Sequence, residues 1–235
     1  MNNILFFIIL FLTNAIQAIT GFAGTLLAMP PSILLVGAEK ARIVLNLLAF
    51  LTCLVIVLQN RRSVRKKILG KIVLFMGIGM AGGIHIYKIV RIEFLLYIYG
   101  VLIVLVALSN LRGSREIQLK EWMSVIILLT AGIIHGMFVS GGALLVVYAA
   151  YVLKDKEEFR ATVASVWVVL NSFMMIEEFV SGSFTKENTV LCILACIPAF
   201  AGVWAGNRLH DRISAEAFRK MTYVLLLISG ILCFI

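Results

Sequence analysis

Charge is scarce in this chain. Only 14% of its 235 residues are Asp, Glu, Lys or Arg, where a soluble domain carries about 25%. Hydrophobic residues make up 62%, and the mean hydropathy is +1.05. Too little polar side chain is left to cover a water-facing surface. That excludes a disordered chain, a soluble enzyme of ordinary composition and a basic nucleic-acid binder. The H-E-x-x-H, G-x-G-x-x-G and phosphate-loop patterns are also missing, so no metal site is visible and no nucleotide-driven motor is encoded. Cysteine offers little. Cys53, Cys192, Cys196 and Cys233 all lie inside apolar runs with no His or carboxylate near them in sequence, and such a thiol packs as a small apolar group. The first apolar run starts at Ile4 without a basic stretch before it. It therefore reads as the start of a membrane domain rather than a cleaved leader.

What is present is a net charge of +9, gathered into knots between apolar runs. The largest knot is Arg61, Arg62, Arg65, Lys66, Lys67 and Lys71; smaller ones are Arg112, Arg115, Lys120; Lys154, Lys156, Arg160; and Arg208, Arg212, Arg219, Lys220. Clustered cations flanking apolar spans mark cytoplasmic loops. The apolar runs number eight: residues 4–36, 43–59, 69–86, 92–109, 122–153, 161–179, 189–206 and 218–235. Nothing between them is long enough for a soluble domain, so residues 1–235 form one membrane body.

Two runs, 4–36 and 122–153, exceed the roughly 17 to 25 residues of a single span. Each is interrupted by small residues, Gly21 and Gly24 in the first and Ser140, Gly141 and Gly142 in the second. Each then continues with a piece of about 12 residues, too short to cross. Broken helices at matching places in two halves point to a transporter's binding site. The halves, 4–110 and 121–235, match in order: one broken segment, then three plain ones. Laying Gly24 on Gly142 puts Gln17 opposite His135. If every run simply crosses, the basic residues divide almost evenly and give no orientation. If the two broken runs re-enter, sixteen basic residues lie on one side and five on the other. The rich side is then cytoplasmic, and the halves are inverted relative to each other. The expected fold is an all-α polytopic membrane protein of two inverted repeats, each a re-entrant helix pair plus three transmembrane helices.

Polar groups inside apolar spans are costly and mark function. The first broken segment offers Asn14, Gln17 and Thr20; the second offers His135 and Ser140. Asn46 and Thr52 follow in one half, and Asn171 and Ser172 in the other. Half-helix N-termini at the glycine breaks present N–H groups to an anion, and neutral side-chain donors hold it without the deep trap of a fixed cation. His135 titrates near neutral pH in its ordinary state and is a candidate proton-coupling group. Arg42 and Arg160 each open the helix after a break and suit an anion vestibule. Phe22 and Phe138 flank the breaks and can close a pathway. Glu177 and Glu178 read as a solvated pair at a helix end, and His85 as interfacial.

The run Gln17-Ala18-Ile19-Thr20-Gly21-Phe22-Ala23-Gly24, followed by Leu27-Ala28-Met29-Pro30, resembles the first signature of the TauE/SafE sulfite-exporter family of membrane permeases. Gly132, Gly136, Ser140-Gly141-Gly142 and Tyr148, then Phe159-Arg160-Ala161-Thr162 and Asn171, resemble its second-half pattern. The fuller glycine cluster of many members is reduced here to Gly21 and Gly24, and Tyr148 stands opposite Pro30. The resemblance implies a secondary carrier for a small anion such as sulfite, thiosulfate or sulfoacetate, in the bacterial cytoplasmic membrane. The binding residues it implies are Gln17, Thr20, Gly21, Gly24, Asn46, Ser140, Gly141, Gly142 and Asn171. No cofactor is implied. The partners read from the sequence are the anion, membrane lipid, a proton and a second copy of the chain. An anion channel, a membrane enzyme and an accessory membrane subunit stand as alternatives.

Overall fold

The computed structural model describes residues 2–90 and 119–210 throughout, with scattered positions between 94 and 108 and between 214 and 234. The runs at 92–109 and 218–235, with Arg112, Arg115, Arg212, Arg219 and Cys233, fall largely outside the described residues. The helices, in chain order, are α1 Asn2–Thr20, α2 Ala23–Val36, α3 Ala38–Asn60, α4 Lys66–Ile89, α5 Glu121–Phe138, α6 Gly142–Val152, α7 Lys156–Val180 and α8 Lys186–His210, with a 3-10 turn at Arg61–Ser63. No strand occurs among the described residues.

Both overlong runs break where the small residues stand. α1 stops at Thr20, and Gly21 takes φ 81°, a left-handed conformation that costs glycine nothing. The Thr20 hydroxyl then accepts the N–H groups of Phe22 and Ala23, each at 3.1 Å. α5 stops at Phe138, and the next residue, Val139, is left-handed at φ 54°. The two turns are built alike: the N–H of Gly21 bonds to the Gln17 carbonyl at 2.7 Å, and that of Val139 to the His135 carbonyl at 2.7 Å. The helices that resume, α2 with 14 residues and α6 with 11, rise about 21 and 17 Å at roughly 1.5 Å per residue. Neither reaches across a bilayer core of about 30 Å. α3, α4, α5, α7 and α8 are long and apolar enough to cross.

The register that lays Gly24 on Gly142 lays the last residue of α1, Thr20, on the last of α5, Phe138. It also lays Ala38, which opens α3, on Lys156, which opens α7. Packing follows a corresponding pattern. α1 lies against α8, α4 against α5, and α3 against α7. Glycines set two of these seams. Gly79 and Gly83 sit on the backbone of Leu129 and Ile133, while Gly132 and Gly136 sit on that of Met76 and Met80. On the other seam, Gly202 and Gly206 sit on Phe11 and Ala15. In lipid, helices associate through such close backbone approach, because the surrounding acyl chains are as apolar as leucine. The outer faces carry exposed Leu74, Ile78, Ile126, Phe173, Ile193 and Ile197, which suits lipid as the solvent.

Candidate functional site

The two breaks touch. A Cβ placed on Gly142 would stand 3.1 Å from the Phe22 carbonyl oxygen and 3.6 Å from the Trp167 ring. The polar side chains of α1, α5, α3 and α7 converge around this junction, buried in the body.

On the side of the first break the groups satisfy one another. The Gln17 carbonyl oxygen accepts the Gly24 N–H at 2.6 Å, and its amide donates to the Cys53 sulfur at 2.9 Å. With Thr20 on Phe22 and Ala23, three N–H groups at the start of α2 are already capped. The sequence reading had offered these amides to a ligand. The structure assigns them to side chains of α1, because the first-turn N–H groups of a buried helix need acceptors. Beside them lies a cavity of about 10 Å³, room for roughly one water. It is lined by Asn14, Gln17, Gly24 and Thr25 and faced by Leu45, Leu48 and Ala49 of α3.

The second break differs. His135 and Asn171 lie next to each other, and the His135 and Trp167 rings are 5.0 Å apart. Ser140 stands in the break itself. All four are buried, none more than 4% exposed. The Ser140 hydroxyl and the Trp167 indole N–H make no hydrogen bond among the described residues, while His135 and Asn171 face each other and bond to no third group among them. The residue before α6 is Gly141, which has no side chain to cap it. Buried polar groups normally find partners, so these groups are open to a water or to a bound molecule.

The sequence profile described as Sulfite exporter TauE/SafE matches residues 6–233 of the chain. The chain belongs to the TauE/SafE sulfite exporter family. It is 30% identical over 175 residues to the probable inner membrane transporter protein TsaS of Comamonas testosteroni, covering 73% of each chain. No solved structure matches. This TauE/SafE chain is accordingly a multi-pass membrane transporter of the cell membrane, and the family is one of transporters rather than enzymes.

Of the expected residues, Gln17, Thr20, Gly21 and Gly24 form the first break, and His135, Ser140, Gly141, Gly142 and Asn171 form the second. Asn46 is placed elsewhere. Its amide donates to Glu178 Oε2 at 2.7 Å, two turns beyond Asn171 on α7. The register pairs Asn171 with Cys53 instead, so Gln17 with Cys53 and His135 with Asn171 are matching contacts. Glu178 corrects the sequence reading: it is 2% exposed, not solvated, because α3 packs over the end of α7. Trp167 was missed. It lies four residues before Asn171 on one helix face, and Glu178 lies seven after, so a period of 3.6 through Asn171 is the signal that finds both. Arg42 and Arg160 are both buried, at 7% and 6% exposed. Arg42 lies over the Tyr87 ring at 4.6 Å, and Arg160 donates to Asn207 at 2.6 Å. Each arginine is thus held by the end of the helix that follows its own. The Phe22 ring packs edge-on to Phe159 at 6.2 Å, inside the junction.

Proposed function

We propose that the chain is a secondary carrier that moves a small sulfur-containing oxyanion or organosulfonate by alternating access. Two inverted repeats swap exposure of one shared site, which the junction of the two breaks forms. The supporting observation is the set of buried, unpartnered donors on the second break. The Trp167 indole N–H and the Ser140 hydroxyl are open donors, and His135 lies against both the Trp167 ring and Asn171. Hydrogen bonds to a charged acceptor are stronger than neutral ones, and neutral donors release the ion as readily as they bind it. Gln17, Thr20, Gly21 and Gly24 play a second part: they hold the first break rigid against Phe22, which packs on Gly142 as the closing wall. Arg42 and Arg160, one near each end of the body, attract the anion to either mouth.

Reconstitution into liposomes tests this. Labelled sulfite, thiosulfate and sulfoacetate are offered in turn. The expected result is saturable uptake of at least one, with counterflow when unlabelled anion is preloaded. Unitary currents in a planar bilayer would make the protein a channel. Saturable cation flux without anion flux would overturn the reading.

A further inference from the structure

We propose that Glu178 carries the proton that accompanies the anion, and that Arg42 is the point where anion and carboxylate exchange. The inference rests on the anion-transport reading. Glu178 is 2% exposed and Arg42 7%. Glu178 Oε2 accepts from the Asn46 amide at 2.7 Å, while Oε1 has no partner among the described residues. Arg42 Nε and Nη2 likewise make no hydrogen bond among them. Nη2 lies 3.8 Å from Glu177 Oε2, beyond hydrogen-bonding reach. Other groups face Glu178 as well: Tyr87 from α4 and Cys192 from α8. Lys88 of α4 is committed to Glu177 at 2.7 Å. A buried cation with open donors, ion-paired at long range to Glu177, therefore lies within electrostatic reach of Glu178, whose Oε1 is open, and no hydrogen bond joins Arg42 to Glu178. Burying charge is repaid only by good geometry and complete hydrogen bonding, so a purely structural pair would close.

An anion arriving at Arg42 brings a second negative charge beside Glu178. Two like charges in one dry site oppose each other, and uptake of a proton relieves the conflict. The balance is simple. Glu178 carboxylate takes one proton from the aqueous side as one anion passes Arg42 on its way to the second break. The acid so formed is neutral and so no longer opposes the anion's charge. When the body opens to the other side, the anion leaves the second break, Glu178 gives up its proton to the same side, and Glu178 is again a carboxylate. For a monoanion no net charge crosses.

The test uses the full chain in liposomes with radiolabelled sulfite, the membrane potential clamped by potassium and valinomycin, and a pH gradient acid on the labelled side. Wild type should accumulate label above equilibrium. Glu178→Gln, which keeps shape and the Asn46 contact, should retain sulfite counterflow at equal pH and lose accumulation driven by the gradient. Glu177→Gln should keep both. Gradient-driven accumulation persisting in Glu178→Gln overturns the inference. So does loss of counterflow in Glu178→Gln protein that elutes as a single folded species, since Glu178 would then serve binding or structure. A wild type that moves none of the three anions sinks the transport reading itself, and this outcome is distinct from the others.

Discussion

At the residue scale, the orphaned donors separate ligand-binding groups from structural ones. Trp167 donates to nothing among the described residues, so Trp167→Phe removes no bond within the protein. Any loss of folding stability then comes from the packing given up by the smaller ring, offset in part by removal of an unpaired buried donor. The apparent KM for the anion should rise about 10-fold or more, the loss expected for a hydrogen bond to a charged group. Melting curves and uptake rates on the same preparation check this, and a large drop in melting temperature would mark the indole as structural. Gln17→Ala should behave in the opposite way. It strips the acceptor from the Gly24 N–H and should cost about 1–3 kcal/mol of stability, read as a fall in thermal midpoint. The sequence made Gln17 conspicuous, but not its task. Polar residues in apolar runs can be found by inspection, whereas what they bond to is set by which helix packs alongside. Glu178 shows the same limit. Its place near the end of an apolar run reads as solvent, and it is buried by residues far away in sequence, Asn46 of α3 among them.

At the element scale, the broken helices were legible from length, since a run of more than 30 apolar residues cannot be one span. The first break could be placed by Gly21. The second could be placed by Ser140-Gly141-Gly142, although its left-handed turn falls on Val139, a β-branched residue that rarely adopts positive φ. The helix seams were not legible, because glycines on a seam and glycines facing lipid look alike in sequence. The structure separates them. Gly83→Leu and Gly132→Leu would drive a side chain into the backbone of Ile133 and Met76 and should part α4 from α5. Gly77→Leu and Gly82→Leu meet nothing within 4 Å and should be tolerated. Yield of monodisperse protein on size exclusion distinguishes the two pairs, and equal yields would mean that the seam does not set the fold.

At the scale of the whole molecule, α3 and α7 run antiparallel. Asn46, early in α3, meets Glu178, late in α7, while Arg65, just past α3, bonds Thr162, early in α7, at 3.0 Å. The basic turn after α3 and the turn after α7 therefore lie at opposite ends of the body. With the basic-rich loops inside, Arg62→Cys should react with an impermeant maleimide only in inverted vesicles, and Ser183→Cys only in intact cells. Labelling of both from one side would refute the inverted arrangement of the halves.

If the anion sits in the closed junction, where the space beside Gly24 has room for roughly one water, tightness sets a condition on the cargo. An ion held in the closed junction cannot keep its hydration shell, so its selection becomes a contest between dehydration and the donors that replace the water. Doubly charged anions lose more hydration on entry than singly charged ones, so among the proposed cargoes bisulfite would be taken more readily than thiosulfate or sulfoacetate. Singly charged anions with diffuse charge lose the least. A pore wide enough for hydrated ions would rank anions by size; a site this tight ranks them by how reluctantly they give up water.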